Sequence, residues 1–245
     1  MARVKPNSVL AARRKPFTVI TADGQRLAGE VALPDSGEPV ATVVCLHPLS
    51  TDGGSSDSHL FRKAAWRLPA MAGLAVVRFN FRGVASTLGH SSGEFDQARG
   101  EGLDLGAVLA HVVAAGLPEP WLLGWSFGTD VTLKHGDRPP VAGAILLAPP
   151  LRWSTDEDLD RWAHSGRPLS VLVPEFDDYL RPAQARTRFA RIPQADVIQV
   201  EGGRHLFVGE RYVRIVLNHV VGEIAPSYGP LPQEWNGPME SWSVL

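Results

Sequence analysis

A short apolar run that passes directly into Gly-x-Ser-x-Gly constrains this chain more than any other stretch. Residues 121–123 read as a buried strand, Gly124-Trp125-Ser126-Phe127-Gly128 follows at once, and residues 129–135 are compatible with a helix. A serine between a strand and a helix sits on a tight, strained turn that pushes its hydroxyl out of the sheet, with the helix N-terminus beneath it. Gly124 and Gly128 suit such a turn because a Cβ at either place would strike the strand or helix that the turn brings together. The plainer alternative is a turn in which the serine is only a helix N-cap. The rest of the chain decides between the two.

Two strand-like runs, 17–20 and 27–33, flank Ala22-Asp23-Gly24, a hairpin signal. Strands and helices then alternate. Strands are expected at 41–46, 74–79, 121–123, 141–147, 169–173 and 197–200, and helices at 60–71, 103–113, 129–135, 182–190 and 208–224. Pro69 is expected to end its helix early. Alternation of this kind predicts an α/β domain with a mostly parallel sheet, the hairpin adding antiparallel strands at one edge. The domain spans 17–224. Residues 1–16, with Arg3, Lys5, Arg13, Arg14 and Lys15, read as a solvated basic arm, and 225–245, rich in Pro, Gly and Trp, as a C-terminal tail. Within 151–167, Thr155 ahead of Asp156, Glu157, Asp158 and Asp160 marks a helix start. One short lid-like helix over the site is expected there, not a cap domain.

A chain of 245 residues with 44% apolar residues buries a sizeable core in one domain. A net charge of −2 offers no field for nucleic acid or an acidic membrane. The single cysteine, Cys45, lies in an apolar run and reads as a buried, inert thiol. With no apolar run long enough for a bilayer and no secretory signal pattern, a cytoplasmic location is expected. The expected partner is a small-molecule substrate, and the oligomeric state is left open. Asp52, Asp57 and His59 are close in sequence but lack a recognisable ligand set, so no metal site is expected.

In parallel α/β sheets, functional groups belong in the loops after the strands. Ser126 follows one strand. Glu175-Phe176-Asp177-Asp178-Tyr179 follows the strand at 169–173, and Gly202-Gly203-Arg204-His205 the strand at 197–200. The order Ser, Asp, His then assigns roles by chemistry. A serine hydroxyl needs a base within hydrogen-bond reach, which His205 supplies. A carboxylate must hold the imidazole in the right tautomer. Asp177 is the choice, with Asp178 as its rival and Glu175 a distant third. Acyl transfer also needs two N–H groups for the developing oxyanion. One is the amide of Phe127. The other belongs to the loop His47-Pro48-Leu49-Ser50, where Pro48 has no N–H and Leu49 is the expected donor. His47 is expected to shape that loop. Trp125, Trp153 and Trp162 are candidates for lining a substrate pocket, although Trp153 and Trp162 equally suit pinning a helix to the body.

These residues resemble the α/β-hydrolase superfamily, and more narrowly its small bacterial members with a His-Pro loop. Here the matching segments are His47-Pro48, Gly53-Gly54-Ser55, Arg78-Phe79-Asn80-Phe81-Arg82-Gly83 and Gly93-Glu94-Phe95-Asp96, spread over nearly the whole domain. The resemblance implies an eight-stranded sheet, Ser126, Asp177 and His205 as nucleophile, acid and base, Leu49 and Phe127 as oxyanion donors, and no cofactor. Its expected activity is cleavage of an ester, thioester or similar acyl substrate through an acyl-serine. An acyltransferase or peptidase with the same triad, or a silent binding protein on the same fold, are the alternatives. One departure is the loop itself, which in the family commonly continues His-Pro-His-Pro.

Overall fold

The computed structural model describes residues 1–242, so the last three residues of the expected tail lie outside the described residues. Eight strands form the central sheet: β1 (Arg13–Ile20), β2 (Arg26–Leu33), β3 (Thr42–Leu46), β4 (Ala75–Phe79), β5 (Pro120–Trp125), β6 (Gly143–Leu147), β7 (Leu169–Pro174) and β8 (Ala195–Val200). Their spatial order is β1-β2-β4-β3-β5-β6-β7-β8. The hairpin partners β1 and β2 are antiparallel, as are β2 and β4, and every other pair is parallel. Five central strands are mostly apolar or β-branched and buried along almost their whole length because helices cover both faces, Arg78 in β4 and Ser170 in β7 being the polar exceptions.

Helices α1 (His59–Ala72) and α6 (Glu210–Ile224) pack on one face, where Leu60, Phe61 and Leu68 meet Leu123, Trp125 and Val216. On the other face lie α2 (Gly100–Ala114), α3 (Phe127–His135), α4 (Asp156–Ser165) and α5 (Pro182–Phe189), with Leu105, Val131, Trp162 and Phe189 against Leu122, Leu146 and Val171. This is the α/β-hydrolase architecture. Among the described residues no helix is long and apolar enough to cross a membrane.

Three local expectations are corrected. Pro69 does not end α1, which runs on to Ala72. Standing in the last turns, it removes a single intrahelical bond, and its buried ring contributes packing in return. Residues 1–16 are not a solvated arm. Ala2–Arg3 pairs with Glu234–Trp235 and Ser8–Leu10 with Met239–Ser241, both antiparallel, burying Leu10 against α1. Backbone groups that each terminus would leave to water are thereby satisfied by the other. Finally, α4 is no lid. Its Thr155 capping box starts it as expected, but Trp162 is fully buried with its Nε1–H donating to the Leu133 carbonyl at 3.1 Å. The apolar face of α4 thus lies along α3, not over the site.

Candidate active site

β5 delivers Ser126 to the carboxyl edge of the sheet, and α3 begins with the next residue. Ser126 has φ 51° and ψ −118°, a strained conformation for a residue with a side chain. The two glycines make the turn feasible. A Cβ on Gly128 would lie 1.9 Å from the Leu46 carbonyl oxygen, and one on Gly124 would lie 2.7 Å from that of Gly128. Strand β3, strand β5 and helix α3 therefore meet closer than any other residue type permits. The Ser126 amide donates to the Leu147 carbonyl at 2.9 Å, fixing the turn to β6.

The structure brings Ser126, Asp177 and His205 together. His205 Nε2 lies 2.8 Å from Ser126 Oγ, and its Nδ1 lies 2.8 Å from Asp177 Oδ2. The other oxygen of Asp177 accepts from the amides of Tyr179 at 2.9 Å and Leu180 at 3.1 Å. Burial alone would raise this carboxyl's pKa, but the His205 hydrogen bond and the two amides outweigh it and hold the group below its ordinary 3.8. Asp177 thus stays an acceptor-only carboxylate, which obliges Nδ1 to carry a proton and leaves Nε2 free to accept from the serine. Asp178 is exposed and its side chain pairs with no described residue. Glu175 is used elsewhere: its carboxylate accepts from the Gly202 amide at 2.7 Å, tying the Asp177 loop to the His205 loop. The Phe176 amide adds a second tie, to the Gly203 carbonyl at 2.9 Å.

The serine opens into a cleft of about 110 Å³ whose walls include Leu49, Phe127, Trp153, Tyr179 and Leu206. Leu49 and Phe127 both line this cleft, and neither backbone amide has an acceptor among the described residues. His47 shapes the Leu49 loop from beneath. It is fully buried, with Nδ1 2.7 Å from the Pro48 carbonyl and Nε2 accepting from the Phe81 amide at 3.0 Å. Burial pushes its pKa down to about 4, so the ring is neutral and both contacts fit one tautomer.

Of the three tryptophans, only Trp153 lines the cleft. Trp162 lies under α4 as described, and Trp125 is buried behind the relay against Phe61 and Phe207. The β5 side chain immediately before the serine points onto a core face, and an indole there meets α1 before it meets the cleft. Asp52 lines the cleft, whereas Asp57 pairs with Arg78 and His59 approaches the Phe207 carbonyl. Among the described residues no group of metal-ligating side chains converges. Cys45 is buried, and burial pushes its thiol up to about 12, so it is held unreactive.

Sequence reasoning missed Arg152, Tyr179, Leu206 and Asp130. The first three stand in post-strand loops, and the rule that ligands bind at the carboxyl edge of the sheet was signal enough for them. The Tyr179 ring lies against that of His205, tilted by 57° with ring centres 4.6 Å apart. Asp130 is buried in α3 and accepts from the amides of Trp153 and Ser154 at 3.2 and 2.8 Å. No sequence signal pairs those positions.

The sequence matches no family model. It is 31% identical over 192 residues to the uncharacterized protein RP471 of Rickettsia prowazekii, an alignment that covers 74% of this chain and 78% of that one. Among solved structures it is similar to XC6422 of Xanthomonas campestris, described as an α/β serine hydrolase without a lid. There the TM-score is 0.71 and the identity 28%, with 91% of this chain and 99% of that one covered. An α/β serine hydrolase homologue from Coxiella burnetii gives a TM-score of 0.71 at 26% identity, over 86% and 97% of the two chains. The chain therefore belongs to the family of the rickettsial protein, within the α/β-hydrolase superfamily.

Proposed function

We propose that this protein is a serine hydrolase that cleaves an ester, thioester or similar acyl substrate through an acyl-Ser126 intermediate. One observation carries the reading: a serine on a strained elbow, an imidazole and a buried carboxylate stand in hydrogen-bonded series beside an open cleft. Ser126 Oγ attacks the substrate carbonyl as His205 Nε2 takes its proton. The negative charge that moves to the carbonyl oxygen meets the amides of Phe127 and Leu49, each such donor being worth about 3–4 kcal/mol of transition-state stabilisation. His205 passes its proton to the leaving alcohol or thiol. Water, activated by the same nitrogen, then releases the acid and restores the serine. Asp177 remains ionised throughout and stabilises the imidazolium.

The cleft is uncovered, since α4 lies along α3, and an uncovered cleft admits water to the acyl-enzyme. That favours hydrolysis over transfer to a second acceptor. The likeness to two α/β serine hydrolase structures, one of them described as lacking a lid, supports the same reaction class. Turnover of p-nitrophenyl acetate tests the assignment. The Ser126→Ala variant should keep its circular dichroism and lose nearly all activity, and a variant with wild-type rates would contradict the assigned nucleophile.

A further inference from the structure

The cleft over Ser126 is lined by one arginine, Arg152, and the surrounding structure holds it there. It projects from the segment leaving β6, where Ala148 and Leu151 take φ of 49° and 51°. Residues with a Cβ stay in that region only where their surroundings enforce it. Part of the enforcement is Asp130, one turn past Ser126 in α3, whose buried carboxylate accepts from the Trp153 and Ser154 amides and the Ser154 hydroxyl. The Trp153 ring is in turn boxed edge-on by Phe95 and Phe127, at 5.8 and 5.2 Å between centres. The Arg152 guanidinium lies 4.7 Å from the centre of that fixed ring.

Its charge has no partner. Among the described residues no carboxylate forms an ion pair with Arg152. Of the acids that follow it, Asp156 pairs with Arg188 and Arg191, Asp158 with Lys134 and Arg161, and Asp160 with Arg191, while Glu157 is exposed and forms no ion pair with Arg152. The segment's other arginines are committed as well, Arg161 to Asp158 and Arg167 to the carbonyls of Val141 and Asp137. An arginine seated on an aromatic ring, exposed and unpaired beside a nucleophile, presents a planar fork of donors that matches a carboxylate.

From this we infer that Arg152 selects substrates carrying a negative charge, carboxylate in kind, on one side of the scissile bond. The inference rests on the hydrolase reading above. Asp52, which also lines the cleft and pairs with no described cation, repels an anion on the side of the Leu49 turn and so confines the charge to the Arg152 end. The uncharged remainder of the substrate then lies toward Tyr179 and Leu206, both exposed at the rim.

Two pairs of esters test it. p-Nitrophenyl butyrate and mono-p-nitrophenyl glutarate differ by a carboxylate on the acyl side. Phenyl acetate and para-acetoxybenzoate differ by one on the leaving group. In at least one pair, Arg152→Gln should lower kcat/KM for the anionic ester about tenfold more than for its neutral counterpart, equivalent to about 1.4 kcal/mol. The loss should fall mainly on KM, and Asp52→Asn should preserve or increase the preference for the anion. Equal losses on neutral and anionic esters in both pairs would overturn the inference and leave the hydrolase standing. If none of the four esters turns over and no covalent adduct forms on Ser126, the hydrolase reading fails and takes this one with it.

Discussion

The indole N–H of Trp125 donates to the main-chain carbonyl of His205 at 3.2 Å. The residue just before the proposed nucleophile thereby anchors the loop that carries the proposed base, although β5 and β8 are not neighbours in the sheet. Trp125 is itself fixed edge-on between Phe61 and Phe207 and is 2% exposed. The spacing between hydroxyl and imidazole is therefore set from behind the relay as well as within it.

Trp125→Phe keeps an aromatic ring at this position but removes the donor together with part of the buried indole. It should lower kcat about tenfold with little change in KM, because a small misplacement of the base weakens proton transfer more than substrate binding. Stability should fall by roughly 1–3 kcal/mol, since the His205 carbonyl loses its partner. Steady-state kinetics and urea unfolding measure the two effects separately.

Asp177 and Asp178 are adjacent, yet only Asp177 reaches the imidazole. Asp177→Asn should cost on the order of 10⁴ in kcat, as an amide cannot hold the same tautomer or stabilise the imidazolium. Asp178→Asn should retain near-wild-type kinetics. The folded-state pKa of Asp177 is lowered, so its contribution to stability is complete above the ordinary 3.8 and is lost as pH falls below it. Acid titration of the Asn variant should lack that component.

Gly128→Ala places a methyl group within 1.9 Å of a main-chain oxygen of β3. Backbone cannot swing aside as a side chain does, so the elbow itself must open. The expected cost is about 3 kcal/mol, at the upper end for overpacking, together with loss of activity even where the variant folds. Thermal melts alongside p-nitrophenyl acetate turnover test both parts.

His47 gives a pH signature. Its folded-state pKa is lowered from 6.5 to about 4 by burial. The unfolded chain then binds a proton that the native state refuses, and stability falls as pH drops from 6.5 toward 4. For this group the loss amounts to about 3 kcal/mol. His47→Gln should flatten the dependence of urea-unfolding free energy on pH across that window. An unchanged slope would mean the ring is not held neutral.

The elbow, the relay and the strand–helix alternation were legible because each is local. A strand, a Gly-x-Ser-x-Gly turn and a helix follow one another within residues 120–135. Each remaining member of the relay likewise sits directly after its own strand. What stayed hidden depends on contacts between residues far apart in the chain. The pairing of Ser8–Leu10 with Met239–Ser241 uses strands too short to leave a period. Trp153 and Trp162 lie in one segment, and nothing local says that the first faces the cleft and the second the core. The same holds for Asp130, whose acceptor role depends on a loop that returns from the far side of β6.

The decisive measurement is labelling with a fluorophosphonate probe, read by peptide mass spectrometry. One covalent adduct is expected, on Ser126, abolished in Ser126→Ala and strongly slowed in His205→Ala. An unlabelled wild-type protein, or an adduct that persists in Ser126→Ala, would contradict the proposed mechanism.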